Sequence, residues 1–119
     1  MGTINTYRDL LVWQKAMSLV NEIYKISQNF PSTEVYGLTS QIRRCAVSIP
    51  SNIAEGYGRK STGDYKRFLQ IAVASLFELQ TQIEIAFNLN YITKDKFNSF
   101  LELTNELDRM LSSLITKIK

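Results

Sequence analysis

Ser48-Ile49-Pro50-Ser51-Asn52-Ile53-Ala54-Glu55-Gly56-Tyr57-Gly58-Arg59-Lys60-Ser61 is the stretch that decides how this chain folds. Leu38, Ile42, Cys45 and Ile49 lead into it at alternating steps of four and three, the spacing of one helix face. The face contains Pro50, whose missing N–H leaves the Ala46 carbonyl without its helical donor and whose ring crowds that turn, at about 3 kcal/mol in a regular helix. A kink is therefore expected, with Ser48, Ser51 and Asn52 placed to bond the freed backbone groups; a locally satisfied kink and a binding role are both compatible with this pattern. Gly56 to Gly58 should end the helix, and the cations Arg59 and Lys60 follow at once. Glu55 stands one turn before Arg59, a spacing that favours a structural ion pair over catalytic duty.

The same stepping recurs on both sides. Upstream, Val12, Ala16, Leu19, Ile23, Ile26 and Phe30 mark one helix, with Asp9 as its expected N-cap and a second stripe of Trp13, Met17, Val20 and Tyr24 displaced by one residue. Pro31-Ser32-Thr33 breaks the chain, and Ser32 or Thr33 is expected to cap the next helix. Downstream, Ser61 to Asp64 supplies caps for a third helix carrying Tyr65, Leu69, Ala72, Leu76, Leu79, Ile83, Ala86 and Asn90, a rod of roughly 35 to 40 Å from Asp64 to Asn88. Thr93 caps a fourth, with Phe97, Phe100, Thr104, Leu107, Leu111, Leu114 and Ile118 along its stripe. Short connections make neighbours antiparallel, so the expected fold is all-α: an up-down-up-down four-helix bundle filling residues 1–119 as a single domain. Ile71 and Ile85 project away from the third helix's core stripe and, with Phe77, Trp13 and Tyr24, predict packing between subunits.

Composition narrows the chemistry. The 119 residues are 45% hydrophobic and 21% charged, which suits one folded domain. The apolar runs are too short for a bilayer, and Met1-Gly2-Thr3-Ile4-Asn5 is no basic-then-apolar leader, so a cytoplasmic protein without membrane partners is expected. With no histidine, Ser-His-Asp and Cys-His catalysis and Glu-x-x-His di-metal sites are excluded, and the lone Cys45 reads as a small buried hydrophobe that cannot build a zinc site. Gly56-Tyr57-Gly58 follows a helix and not a strand, unlike a nucleotide-binding loop. Glu102 and Glu106, one turn apart, are a solvated face before they are an acid/base pair or a hard-cation site. A non-enzymatic protein without cofactors is the expectation.

Charge separates function from fold. Residues 41–68 hold Arg43, Arg44, Arg59, Lys60, Lys66 and Arg67 against Glu55 and Asp64, a balance of +4, while the remainder carries eight cations and nine anions. Arg59, Lys60, Lys66 and Arg67 should gather at the pole where the second helix turns into the third, with Arg43 and Arg44 further along the second helix, closer to the opposite end. Such a cluster attracts polyanions by counterion release, and Tyr57 and Tyr65 add surfaces for stacking on unpaired bases. All six cations are candidate phosphate contacts. Nothing resembles a helix-turn-helix, zinc finger or RNA-recognition sheet, so backbone and shape should be read before sequence. The competing reading is a protein-interaction scaffold whose cations serve subunit or partner contacts.

Leu10-Leu11-Val12-Trp13-Gln14-Lys15-Ala16, Tyr36-Gly37-Leu38-Thr39-Ser40-Gln41-Ile42-Arg43-Arg44 and above all Ser48-Ile49-Pro50-Ser51-Asn52-Ile53-Ala54-Glu55-Gly56 resemble the bacterial four helix bundle proteins, also called 23S ribosomal RNA intervening-sequence proteins. Gly58-Arg59, residues 65–69 and Ser75-Leu76-Phe77-Glu78-Leu79 extend the resemblance nearly end to end; Cys45 stands where alanine is expected and Gly63 where a charged residue is common. The resemblance implies a bundle that assembles as a ring, a homopentamer. It is similar to the accessory variability determinant of diversity-generating retroelements, which binds nucleic acid and a reverse transcriptase. For this chain it implies an accessory factor that binds nucleic acid, RNA first, with a reverse transcriptase as the type of protein partner.

Overall fold

A computed structural model describes residues 3–118; Met1, Gly2 and Lys119, the outermost positions of the expected domain, lie outside the described residues. The four expected helices are present: α1 (Leu11–Ser27), α2 (Leu38–Tyr57), α3 (Thr62–Asn88) and α4 (Lys94–Lys117), with single 3-10 turns at Tyr7–Asp9 and Ser32–Glu34 and no strand among the described residues. Each helix packs on the next and α4 returns to α1, giving a helical bundle of 44 × 27 × 20 Å whose most extensive seam joins α2 and α3. The predicted stripes form its core: Ala16, Leu19 and Ile23 from α1, Ile42 and Ile49 from α2, Leu69, Ala72, Leu76, Leu79 and Ile83 from α3, Leu107 and Leu111 from α4. Burying a large aliphatic side chain contributes about 1.5–3 kcal/mol, so these stripes dominate the bundle's stability. None of the described helices is long and apolar enough to cross a membrane.

The helix ends follow the sequence reading in part. Ser61 Oγ accepts from Asp64 N at 3.0 Å and Thr93 Oγ1 from Lys96 N at 3.2 Å, both as expected of N-caps. Asp9 does not cap α1. Its carboxylate accepts from Asn5 N and Thr6 N at 2.9 and 3.1 Å, closing a capping box around the Tyr7–Asp9 turn; those two N–H groups hold its carboxyl below the usual range. Ser32 and Thr33 do not cap α2 either, because they belong to the separate Ser32–Glu34 turn. Glu34 takes that part: Oε1 accepts from Leu38 N at 3.1 Å while Oε2 accepts from the Tyr91 hydroxyl at 2.8 Å. Phe30 lies past the end of α1, yet is buried with its ring centroid 5.4 Å from that of Tyr91.

Asn90 leaves the α3 stripe. It adopts left-handed φ of 64° beyond the helix, where Tyr91 N donates to Ala86 O at 2.8 Å and Asn90 N to Phe87 O at 3.0 Å. That pair of bonds is a Schellman ending, with asparagine in the place glycine usually takes. Pro50 is buried inside an uninterrupted α2. Ser48 Oγ donates to Cys45 O and Asn52 Nδ2 to Ser48 O, each at 2.7 Å, so these side chains brace the turns around the proline and neither reaches the Ala46 carbonyl; Ser51 is exposed.

Candidate nucleic-acid interface

The α2–α3 pole is built on a close approach. At Gly56 an added Cβ would stand 2.8 Å from Phe68 Cβ and 3.3 Å from the Tyr65 carbonyl oxygen, so only the absence of a side chain lets the first turns of α3 sit this near to α2. Gly58 makes no such demand: its φ is −80°, and its N–H bonds Ala54 O at 3.3 Å in an ordinary last turn.

Closing the two helices onto each other sets Phe68, 8% exposed, beneath two cations. The Arg59 guanidinium carbon lies 4.5 Å from the Phe68 ring centroid and that of Arg67 lies 4.7 Å from it. Contacts of this kind contribute about 0.5–2 kcal/mol each and hold planar guanidinium groups in place. Glu55 and Arg59 do not form the expected pair. The helix ends at Tyr57, two residues short of the register that would bring them together, and Arg59 turns to the aromatic face instead. Asp64 lies 3.6 Å from Arg67 Nε, an exposed pair of little strength. Lys60 is exposed and Lys66 half-buried, adjoining Arg59 and Arg67 in the chain.

The other expected features are divided. Tyr57 and Tyr65 meet edge to face with centroids 6.1 Å apart, and Tyr65 packs half-buried against the core, where burial, and after it Tyr57, pushes its phenol upward. Arg43 is occupied elsewhere. Its Nε donates to Ser27 Oγ at 2.7 Å, its Nη2 to Tyr24 O at 3.3 Å, and its guanidinium lies 4.7 Å over the Tyr24 ring, which makes it a clasp on the last turn of α1. Arg44 is exposed beside a hollow between α2 and α3. Cys45 is buried, its thiol donating to Ser75 O at 3.0 Å and pushed up to about 12 by burial first and then by the Glu78 charge, so it is no nucleophile. Glu106 pairs with Lys15 at 3.3 Å across the α1–α4 seam.

Phe68 was absent from the sequence-level site. Its role depends on the Gly56 approach, and the signal available was a glycine at a helix end followed, twelve residues on, by an aromatic next to Arg67.

Residues 8–113 match the 23S rRNA-intervening sequence protein family. The chain belongs to that family. A solved structure, a protein of unknown function from the S23 ribosomal protein family of Bacteroides thetaiotaomicron, is 24% identical, and the match covers 90% of this chain and 96% of that one with a TM-score of 0.83. At that identity the likeness shows a shared fold alone. No curated protein sequence matches the chain.

Proposed function

We propose that this family member is a non-enzymatic, homo-oligomeric accessory factor that binds nucleic acid, RNA first, through its α2–α3 pole. The observation that carries the reading is the seating of Arg59 and Arg67 on the single ring of Phe68, beside Lys60 and Lys66. Two fixed guanidinium groups with two neighbouring ammonium groups suit successive phosphates, whose neutralisation releases counterions. Arg44 is exposed near the start of α2, toward the opposite end of that helix from the pole, whereas Arg43 has its donors turned to α1. A 23S rRNA-intervening sequence family match gives RNA precedence over DNA.

In the same reading the bundle runs up-down-up-down, with neighbouring helices antiparallel. Supporting this, Gly56 meets Phe68 while Cys45 meets Ser75, and Gln80 meets Thr104 while Phe87 stacks on Phe97. Self-association into a ring, a homopentamer, is supported by exposed Ile71, Phe77 and Ile85 on α3 and by a separate hollow of about 340 Å³ including Trp13, Met17, Val20, Val47 and Pro50. Contact between unlike patches of identical chains closes into rings when the rotation allows. The same apolar surface favours a second reading, a scaffold for a protein partner such as a reverse transcriptase, with no direct nucleic-acid contact.

Fluorescence anisotropy with labelled RNA and DNA at two salt concentrations separates the two. Wild-type affinity should fall with salt, and the Arg59→Glu, Lys60→Glu double variant should bind weakly at both concentrations. Absent or salt-insensitive binding by an intact oligomer would overturn the nucleic-acid reading. Light scattering tests the assembly, since a monomer of 13.7 kDa contradicts it.

A further inference from the structure

Arg44 from α2 and Glu78 from α3 line the same hollow of about 390 Å³, together with Gln41, Cys45, Ser48 and Ser75. Opposite charges in one cavity ordinarily pair, yet among the described residues no ion pair engages either of them. The internal groups of the hollow are already satisfied: the Cys45 thiol donates to Ser75 O and the Ser48 hydroxyl to Cys45 O. Glu78 faces the Cys45 thiol on one side and is held by Gln82 on the other. Gln82, just 6% exposed, donates its Nε2 to Glu78 Oε2 at 3.3 Å and keeps a buried Oε1 with no partner of its own. The carboxylate is thus steadied through one oxygen while retaining lone pairs for incoming donors, and the guanidinium keeps its full set of N–H groups.

We infer that this hollow reads a single unpaired guanine, with Glu78 accepting from N1–H and N2–H2 and Arg44 donating to O6 and N7. The inference rests on the nucleic-acid reading above. Guanine is the base that presents two adjacent donors on one edge and two adjacent acceptors on the next, matching a carboxylate and a guanidinium held apart. Adenine would set its N1 lone pair against the carboxylate, and uracil flanks its one donor with two carbonyl acceptors. The volume lies within the range of small-molecule sites, about 300–1,000 Å³, and admits a base with its ribose. Only an unpaired base exposes these edges together, so the target is a loop or single strand and not a duplex.

Two titrations test the pocket and the general reading separately. In the first, guanosine, adenosine, cytidine and uridine monophosphates are titrated by calorimetry into wild-type protein and into Glu78→Gln and Arg44→Ala. Guanosine monophosphate should bind about tenfold or more tightly than the others. Glu78→Gln keeps the hydrogen bond with Gln82 but cannot accept two donors, and should erase that preference without lowering the melting temperature. In the second, labelled single strands of equal length, one with guanines and one with adenines in their place, are compared by anisotropy. The guanine strand should bind more tightly, while Arg59→Glu with Lys60→Glu weakens both strands and leaves their ratio unchanged. Strands that bind without preference overturn the pocket and leave the general reading standing. Guanosine monophosphate binding that depends on Glu78, with no strand bound, upholds the pocket and removes the general reading. Equal binding of all four monophosphates, or none, overturns the pocket.

Discussion

Replacing Gly56 by alanine should destabilise the bundle, although alanine is the better helix former. The new Cβ would meet Phe68 Cβ at 2.8 Å, Tyr65 Cδ1 at 3.2 Å and the Tyr65 carbonyl oxygen at 3.3 Å. Two of these three are fixed to the α3 backbone, so relief requires moving the helix and not a side-chain tip. Overpacking of this kind costs about 1–3 kcal/mol, against a propensity gain of at most about 1 kcal/mol for exchanging glycine. After that full gain the net loss is up to about 2 kcal/mol, at roughly 4 °C in Tm per kcal/mol for a chain of this length. Gly58→Ala is the internal control. Its Cβ would meet only the Glu55 and Ala54 carbonyl oxygens at 3.6 and 4.0 Å, and its φ suits any residue, so that variant should melt at or above the wild-type temperature. Thermal melts followed by circular dichroism, at matched protein concentration because assembly shifts Tm, measure both. If Gly56→Ala proved as stable as Gly58→Ala, the close approach of α2 and α3 and the platform built on it would be refuted.

Asn90, at φ of 64° in the Schellman turn, should tolerate glycine with no loss of stability, while Asn90→Ala should cost about 1 kcal/mol in urea unfolding. Glu34 has its carboxyl lowered from 4.5 by the Leu38 N–H first and the Tyr91 hydroxyl second. A depressed native value contributes stability that is complete above the ordinary range and lost as pH falls through the native value, so acid should weaken the wild type in that window. Glu34→Gln, which keeps an acceptor but cannot titrate, should show a shallower decline in melts collected from neutral pH downward. The Cys45 thiol, pushed up to about 12, should resist maleimide at neutral pH in the native protein and react promptly in urea; prompt native labelling would contradict its burial.

What the sequence made legible was whatever repeats locally. The stripes of α1 to α4 announce their core faces because apolar periodicity and burial share one cause, and Ser61 and Thr93 announce themselves because an N-cap bonds only three residues ahead. The misreadings share a different origin. Glu34 displaces Ser32 and Thr33 with help from Tyr91, 57 positions away, and Arg43 leaves the basic surface for hydroxyl and carbonyl groups 16 and 19 positions upstream. Local grammar carries no trace of such partners. The candidate site was legible as charge, through Arg59, Lys60, Lys66 and Arg67, but its organising element, Phe68, becomes meaningful only when two helices are brought together at Gly56.

The Phe68 platform also bears on how tightly a basic surface can hold a ligand. A free arginine forfeits about 0.5–1.5 kcal/mol of rotamer entropy when a phosphate immobilises it. Arg59 and Arg67, already resting on one ring, have surrendered part of that freedom during folding. Phe68→Leu would keep every charge and most of the apolar contact yet release both side chains, so the electrostatic encounter rate would persist while complexes fell apart sooner. Under the proposed function, residence time rather than attraction is what this aromatic ring would control.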